Sequence, residues 1–179
     1  YPVVEHIAKD LDCTVDDLIK NKELRTKIDI KKYAESHSEV KSMNQLTFEV
    51  VFYPTYTRSM QSFIGLESVF LLRAEAKDVN PRFEIATKIN GKSDPRFRSQ
   101  QTIYCDDSEG GRKTPGKWYH IAIVYDGTKS STKEAYKMYI NGVRETLTPA
   151  DNSYEDCAPN SSLNLTDVGG NDKALLIGR

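Results

Sequence analysis

The sequence predicts a mainly-β protein, an antiparallel sandwich or barrel with a short helical segment ahead of it. Three observations carry this. From Leu46 onward apolar residues recur at every second position, in short runs separated by Gly, Pro, Asn and Asp. The stretch from Lys117 to Val143 reads as two aromatic-rich strands around a polar loop, and the second closes in Asn141-Gly142, the pair a type I′ turn favours. Residues 1–42 lack this alternation and show helical spacing, which sets a boundary between an N-terminal helical or linker segment, 1–42, and a β domain, 43–179.

In the N-terminal segment, Val3, Val4, Ile7, Ala8 and Leu11 recur at helical spacing. Thr14 with Asp17 then resembles a capping box before Val15-Asp16-Asp17-Leu18-Ile19. The pair of short helices is similar to the two central helices of a helix-turn-helix DNA-binding domain. Asp16 and Asp17, however, would stand where phosphates approach and repel them, so two ordinary amphipathic helices or a piece of a preceding domain are the preferred reading. Lys31 to Met43 is polar and helix-compatible, with His37 a surface residue.

Leu46 to Tyr53 is a strand with Leu46, Phe48, Val50 and Phe52 on one face, ended by Pro54, which cannot donate to a ladder. Ser62–Gly65 and Val69–Ala74 are the next two, preferred over a helix across Leu66–Ala76. Arg82 to Ile89 alternates with Phe83, Ile85, Thr87 and Ile89 together. Ser93 to Ser99 reads as a polar loop, Gln100 to Cys105 as a short strand and Asp106 to Gly116 as a loop. Trp118 to Tyr125 is apolar at successive positions, which predicts a central strand buried on both faces, with His120 a core histidine. Ala135–Ile140 and Val143–Leu147 form a hairpin, Pro149 to Gly170 a long polar loop, and Lys173–Gly178 a last strand.

The 179 residues suit one sizeable domain. A formal net charge of -1 argues against a nucleic-acid binder that uses its whole surface. No apolar run approaches the ~20 residues that span a bilayer, so membrane insertion is not expected. The 3 cysteines, Cys13, Cys105 and Cys157, make neither a disulfide framework nor a zinc site. A bridge between Cys105 and Cys157 is open in an oxidising compartment, and three free thiols are the simpler expectation.

Catalytic signatures are missing. There is no Gly-x-Ser-x-Gly elbow, and Gly91-Lys92-Ser93 lacks the first glycine of a phosphate loop because Ala86 holds that position. Glu49 and Glu84 stand alone on their strands and are expected on wet faces. Asp106, Asp107 and Glu109 share one loop and Asp126 closes a strand, so calcium is possible, with Asp106, Asp107 and Asp126 as candidate ligands. A solvated acidic loop explains the first group as well, and hydrogen bonding to its own turn explains Asp126.

Trp118, His120, Ala122, Tyr125, Asp126 and Gly127, followed by Tyr139, Asn141 and Gly142, form a Trp–His–Ala strand closing in Tyr-Asp-Gly and a second closing in Tyr-x-Asn-Gly. With Leu46-Thr47-Phe48-Glu49, Phe70-Leu71-Leu72-Arg73 and Leu176-Ile177-Gly178 in the same order, the chain from about 43 to 179 resembles the laminin-G-like branch of the concanavalin A-like jelly-roll superfamily. That resemblance implies an antiparallel jelly-roll sandwich. It further implies a secreted or cell-surface setting, as in glycan-foraging proteins of gut bacteria, and a carbohydrate or protein ligand, sometimes with calcium. Members usually run on past the Ile-Gly strand into one more, so the chain is expected to be truncated at Arg179 or compensated by residues 1–42. Related laminarinase-like hydrolases carry Glu-x-Asp-x-x-Glu on one strand, and no Glu-x-Asp occurs here, so a non-catalytic module is expected. A pyranose needs aromatic platforms beside polar groups, and Tyr53, Tyr56, Arg58, Tyr104 and Tyr154 fall at strand ends or in loops where a ligand could reach them. A protein–protein adhesion or assembly module is the alternative.

Overall fold

A computed structural model describes residues 14, 35–36, 38, 42–66, 69–75, 81–87, 96–108, 111, 113–150, 162–164 and 175–177. The strands are β1 (Ser42–Met43), β2 (Gln45–Phe52), β3 (Tyr56–Thr57), β4 (Gln61–Leu66), β5 (Phe70–Glu75), β6 (Arg82–Thr87) and β7 (Arg96–Thr102). After them come β8 (Asp107–Ser108), β9 (Tyr119–Asp126), β10 (Tyr136–Ile140), β11 (Val143–Arg144), β12 (Thr148–Pro149), β13 (Leu163–Asn164) and β14 (Leu175–Ile177). The two helices expected before residue 20, Tyr154, Cys13 and Cys157 lie outside the described residues.

Two antiparallel sheets face each other. One has four strands in the order β11-β10-β9-β2, the other six in the order β12-β7-β6-β5-β4-β14. Period-two patterning fills the space between them. Tyr119, Ile121, Ile123 and Tyr125 point inward from β9, and Phe83, Ile85, Leu72 and Phe97 meet them from the larger sheet, all within one core. Phe48 stacks on Phe70 and Phe52 on Phe63, each with ring centroids 4.4 Å apart. This is the jelly-roll sandwich, with the core where the alternation from Leu46 onward placed it.

The β10–β11 hairpin turns on Asn141 (φ 52) and Gly142 (φ 80), the two left-handed residues a type I′ turn requires. The Asn141 side chain accepts from the His120 backbone N–H at 2.8 Å and the Asn141 N–H donates to the His120 carbonyl at 2.7 Å, which ties the turn to β9.

Several expectations are corrected. β9 is central, between β10 and β2, but only its inward face is buried; His120, Ala122, Val124 and Asp126 are half-buried on the outer face. Alanine and valine are small and apolar enough to suit a wet face, so the apolar count misled. His120 is therefore no core histidine: its Nε2 lies 3.1 Å from Glu49 Oε2 on that outer face. Arg96 and Arg98 stand on β7 rather than in a loop, because Phe97 and Ser99 alternate with them and turn inward. Leu163, inside the expected long polar loop, is fully buried on β13, which pairs with β1.

Glu84 is corrected as well. It is 0% exposed, although its strand turns it away from the core. The register sets Arg73, Glu84 and Arg98 opposite one another across β5, β6 and β7. Arg73 Nε donates to one Glu84 oxygen at 2.7 Å and Arg98 Nε to the other at 3.2 Å, while Arg98 also pairs with the buried Glu75. A buried carboxylate is tolerated when both oxygens meet guanidinium groups, as here.

Candidate functional site

The site is built where β2 ends and β9 begins. Phe52 pairs with Tyr119, and one further step of that register sets Tyr53 opposite Trp118. The chain turns away at Pro54, so neither ring is drawn into the core. Trp118, expected inside the sandwich, is 66% exposed and meets Tyr53 edge-on with centroids 5.8 Å apart. The signal that could have placed it was Lys117 and Gly116 just before it, which mark a strand end rather than a strand middle.

Asp106 holds this pair. Its Oδ1 accepts from the Tyr53 hydroxyl and from the Gly116 N–H, both at 2.9 Å. Hydrogen bonding to Asp106, partial desolvation and the Asp106 charge together raise the Tyr53 phenol above its ordinary 10.0. The hydroxyl accordingly stays protonated and donating across the physiological range. Gly116 is needed for close approach: a Cβ there would lie 2.7 Å from Tyr53 Cζ and 3.0 Å from the Pro54 carbonyl oxygen.

The loop after β7 is fastened to the same end of the sandwich. β3 and β8 pair in parallel, Tyr56 opposite Asp107, and the Asp107 N–H donates to the Thr55 carbonyl at 3.1 Å. Beneath them the free thiol of Cys105 is buried 3.2 Å from Thr57 Oγ1. The Tyr104 N–H donates to the hydroxyl of buried Tyr119 at 2.7 Å, leaving the Tyr104 ring exposed. Lys117 lies over that ring, its Nζ 4.7 Å from the centroid, and 5.3 Å from that of Tyr119.

Tyr53, Tyr56, Tyr104, Asp106 and Asp107 are thus brought to one end of the sandwich, joined by Trp118 and Lys117. Arg58 is exposed one residue after β3. Asp126 is elsewhere, at the far end of β9, roughly 20 Å away at ~3.3 Å per residue. Its Oδ1 accepts from the Thr128 hydroxyl at 2.6 Å, the Thr128 N–H at 3.1 Å and Gln45 at 3.2 Å. Hydrogen bonds from Thr128 and Gln45, with the charge of Lys129 adding to them, hold its carboxyl down at about 2. Among the described residues no three His, Cys, Asp or Glu side chains converge as metal ligands would.

Exposed rings at differing tilts, with hydroxyls, a carboxylate and an ammonium between them, suit a ligand that shows both C–H faces and polar rims. The Tyr53 ring is fastened through its hydroxyl by Asp106, and the Tyr104 backbone by the Tyr119 hydroxyl.

Comparison with known proteins bears on the fold around this edge. No curated protein matches the chain. A native heptameric SAP-like pentraxin from Limulus polyphemus is similar in structure at 15% identity and a TM-score of 0.43, over 78% of this chain and 62% of that one. Likeness at that level carries no argument about function. A family model described as an HHH domain matches residues 1–51, a minor part of the chain that does not by itself assign a family. The model described as the concanavalin A-like lectin/glucanases superfamily matches residues 29–174, most of the chain. With two facing antiparallel sheets and the Trp–His–Ala and Tyr-x-Asn-Gly strands at the heart of one of them, the chain belongs to that superfamily.

Proposed function

We propose that this chain is a non-catalytic carbohydrate-binding module of a secreted or cell-surface protein, and that it binds through the aromatic edge. The observation that carries this is the exposed Tyr53–Trp118 pair, its Tyr53 hydroxyl held by Asp106 and the pair flanked by exposed Tyr56 and Tyr104. An aromatic ring held rigidly in water contributes contact area to a ligand at little cost in conformational entropy. Membership of the superfamily supports a glycan or protein ligand. Among the described residues no helix is long and apolar enough to cross a membrane.

The non-catalytic part of the proposal rests on the carboxylates. Glycoside hydrolysis takes a pair of carboxyl groups flanking the scissile bond. Glu75 and Glu84 share a sheet face, but Arg73 and Arg98 occupy Glu84 and Arg98 pairs with Glu75, so neither is presented to a sugar.

The test is a glycan array followed by titration calorimetry on the full chain and on Trp118→Ala. We expect binding to a subset of glycans, weakened about tenfold or more by Trp118→Ala, as for an aromatic hot spot. The melting profile should be nearly unchanged, since the ring is exposed. Retrieval of a protein partner with no glycan bound would favour adhesion instead. Release of reducing sugar by the wild-type chain would overturn the non-catalytic assignment.

A further inference from the structure

We propose that the aromatic edge selects glycans carrying an acidic unit, a sugar with a carboxylate or sulfate group, and that Lys117 is the residue that selects it. The inference rests on the carbohydrate-binding proposal and adds the chemical class of the ligand.

It comes from which charges at the edge are already occupied. Asp106 receives the Tyr53 hydroxyl and the Gly116 N–H on one oxygen. Asp107 accepts from the N–H of Ser108 at 2.8 Å. Each carboxylate therefore has one oxygen committed to the protein's own loop. The exposed cations are differently placed. Lys117, among the described residues, has neither ion pair nor hydrogen bond, and its ammonium lies over the faces of Tyr104 and Tyr119. Cation–π contact orients the ammonium without neutralising it. Arg58 and Lys113 are exposed on the two segments that meet at Cys105, through Thr57 on one side and Thr114 on the other.

The ammonium is thus held beside an exposed ring, with its charge still to be met. A neutral sugar stacked on Tyr104 would offer Lys117 hydroxyl oxygens as acceptors but no counter-charge. A sugar bearing an anion would place a counter-charge against a pre-oriented donor. That difference separates acidic from neutral ligands more than it raises affinity overall, as charge complementarity generally does.

The experiment compares wild type, Lys117→Gln, Lys117→Arg and Trp118→Ala in calorimetry with matched oligosaccharides: neutral, uronate-containing and sulfated, at low and high salt. For an exposed charge pair we expect wild type to favour acidic over neutral ligands by about two- to fivefold at low salt. Lys117→Gln should abolish the preference by weakening acidic ligands far more than neutral ones, Lys117→Arg should restore it, and salt should erode it. The uronate and sulfate arms identify which anion is read. Equal or better binding of neutral sugars, or a preference that survives Lys117→Gln, overturns the inference. If neutral ligands bind and Trp118→Ala weakens them, the carbohydrate-binding proposal stands without it; if no oligosaccharide binds, both fall together.

Discussion

Glu49 and Glu84 occupy nearly the same local sequence, Phe48-Glu49-Val50 and Phe83-Glu84-Ile85, and meet opposite fates. Each phenylalanine faces the core and each glutamate turns away from it. On the four-stranded sheet the outward face is wet: the Glu49 side chain is 60% exposed and its partner His120 44%. On the six-stranded sheet the outward face holds a dry charged rung, with Glu84 fully buried between Arg73 and Arg98. Strand periodicity tells which side of a sheet a residue takes. It does not tell whether water reaches that side, which depends on what the rest of the chain lays over it.

The comparison can be broken first at Glu84. Replacing it by Gln removes the counter-charge from half-buried Arg73 and one of the two that half-buried Arg98 has, and we expect a loss of about 3 kcal/mol in urea unfolding. A loss under ~1 kcal/mol would mean that the rung is hydrated in solution. Replacing Arg73, Glu75, Glu84 and Arg98 together by apolar residues of similar volume should cost far less than Glu84→Gln alone, because no charge is left unpaired. A quadruple variant less stable than the single one would sink that account.

A smaller effect is expected at Asp126, on the wet face. Its folded-state value lies near 2, below the ordinary 3.8, so its hydrogen bonds stabilise the fold fully above about pH 4. That contribution is lost as pH falls towards 2. In Asp126→Asn the acid limb of the stability–pH curve should flatten over that window; an unchanged limb would show that the turn does not depend on the charge. Smallest of all is Glu49→Gln, expected within about 0.5 kcal/mol of wild type because both partners are open to solvent. A larger cost would make the two faces more alike than their burial suggests.

Much of this was legible in the chain itself. The alternation of Leu46, Phe48, Val50 and Phe52, and the Asn141-Gly142 turn, announced β2 and the β10–β11 hairpin because such patterns encode face and twist locally. Tyr53, Tyr56, Tyr104 and Asp106 could be picked out as loop or strand-end residues. That Asp106 reaches Tyr53 could not, since it depends on a contact across 53 positions. Trp118 was misplaced for a related reason: a large apolar ring reads as core until the neighbouring strand is seen to end at Phe52. Glu84 gave no signal at all, because its arginine partners lie 11 and 14 positions away on other strands.

The parallel bridge between β3 and β8 joins the segment that carries Tyr56 to the one that carries Asp107. An unfolded chain holds those segments far apart, so it cannot offer a ligand both at once. Any molecule gripped across them must raise the melting temperature, and by more as its free concentration climbs above its dissociation constant. A thermal-shift screen of saccharides would therefore sort true ligands from bystanders before a single affinity is measured.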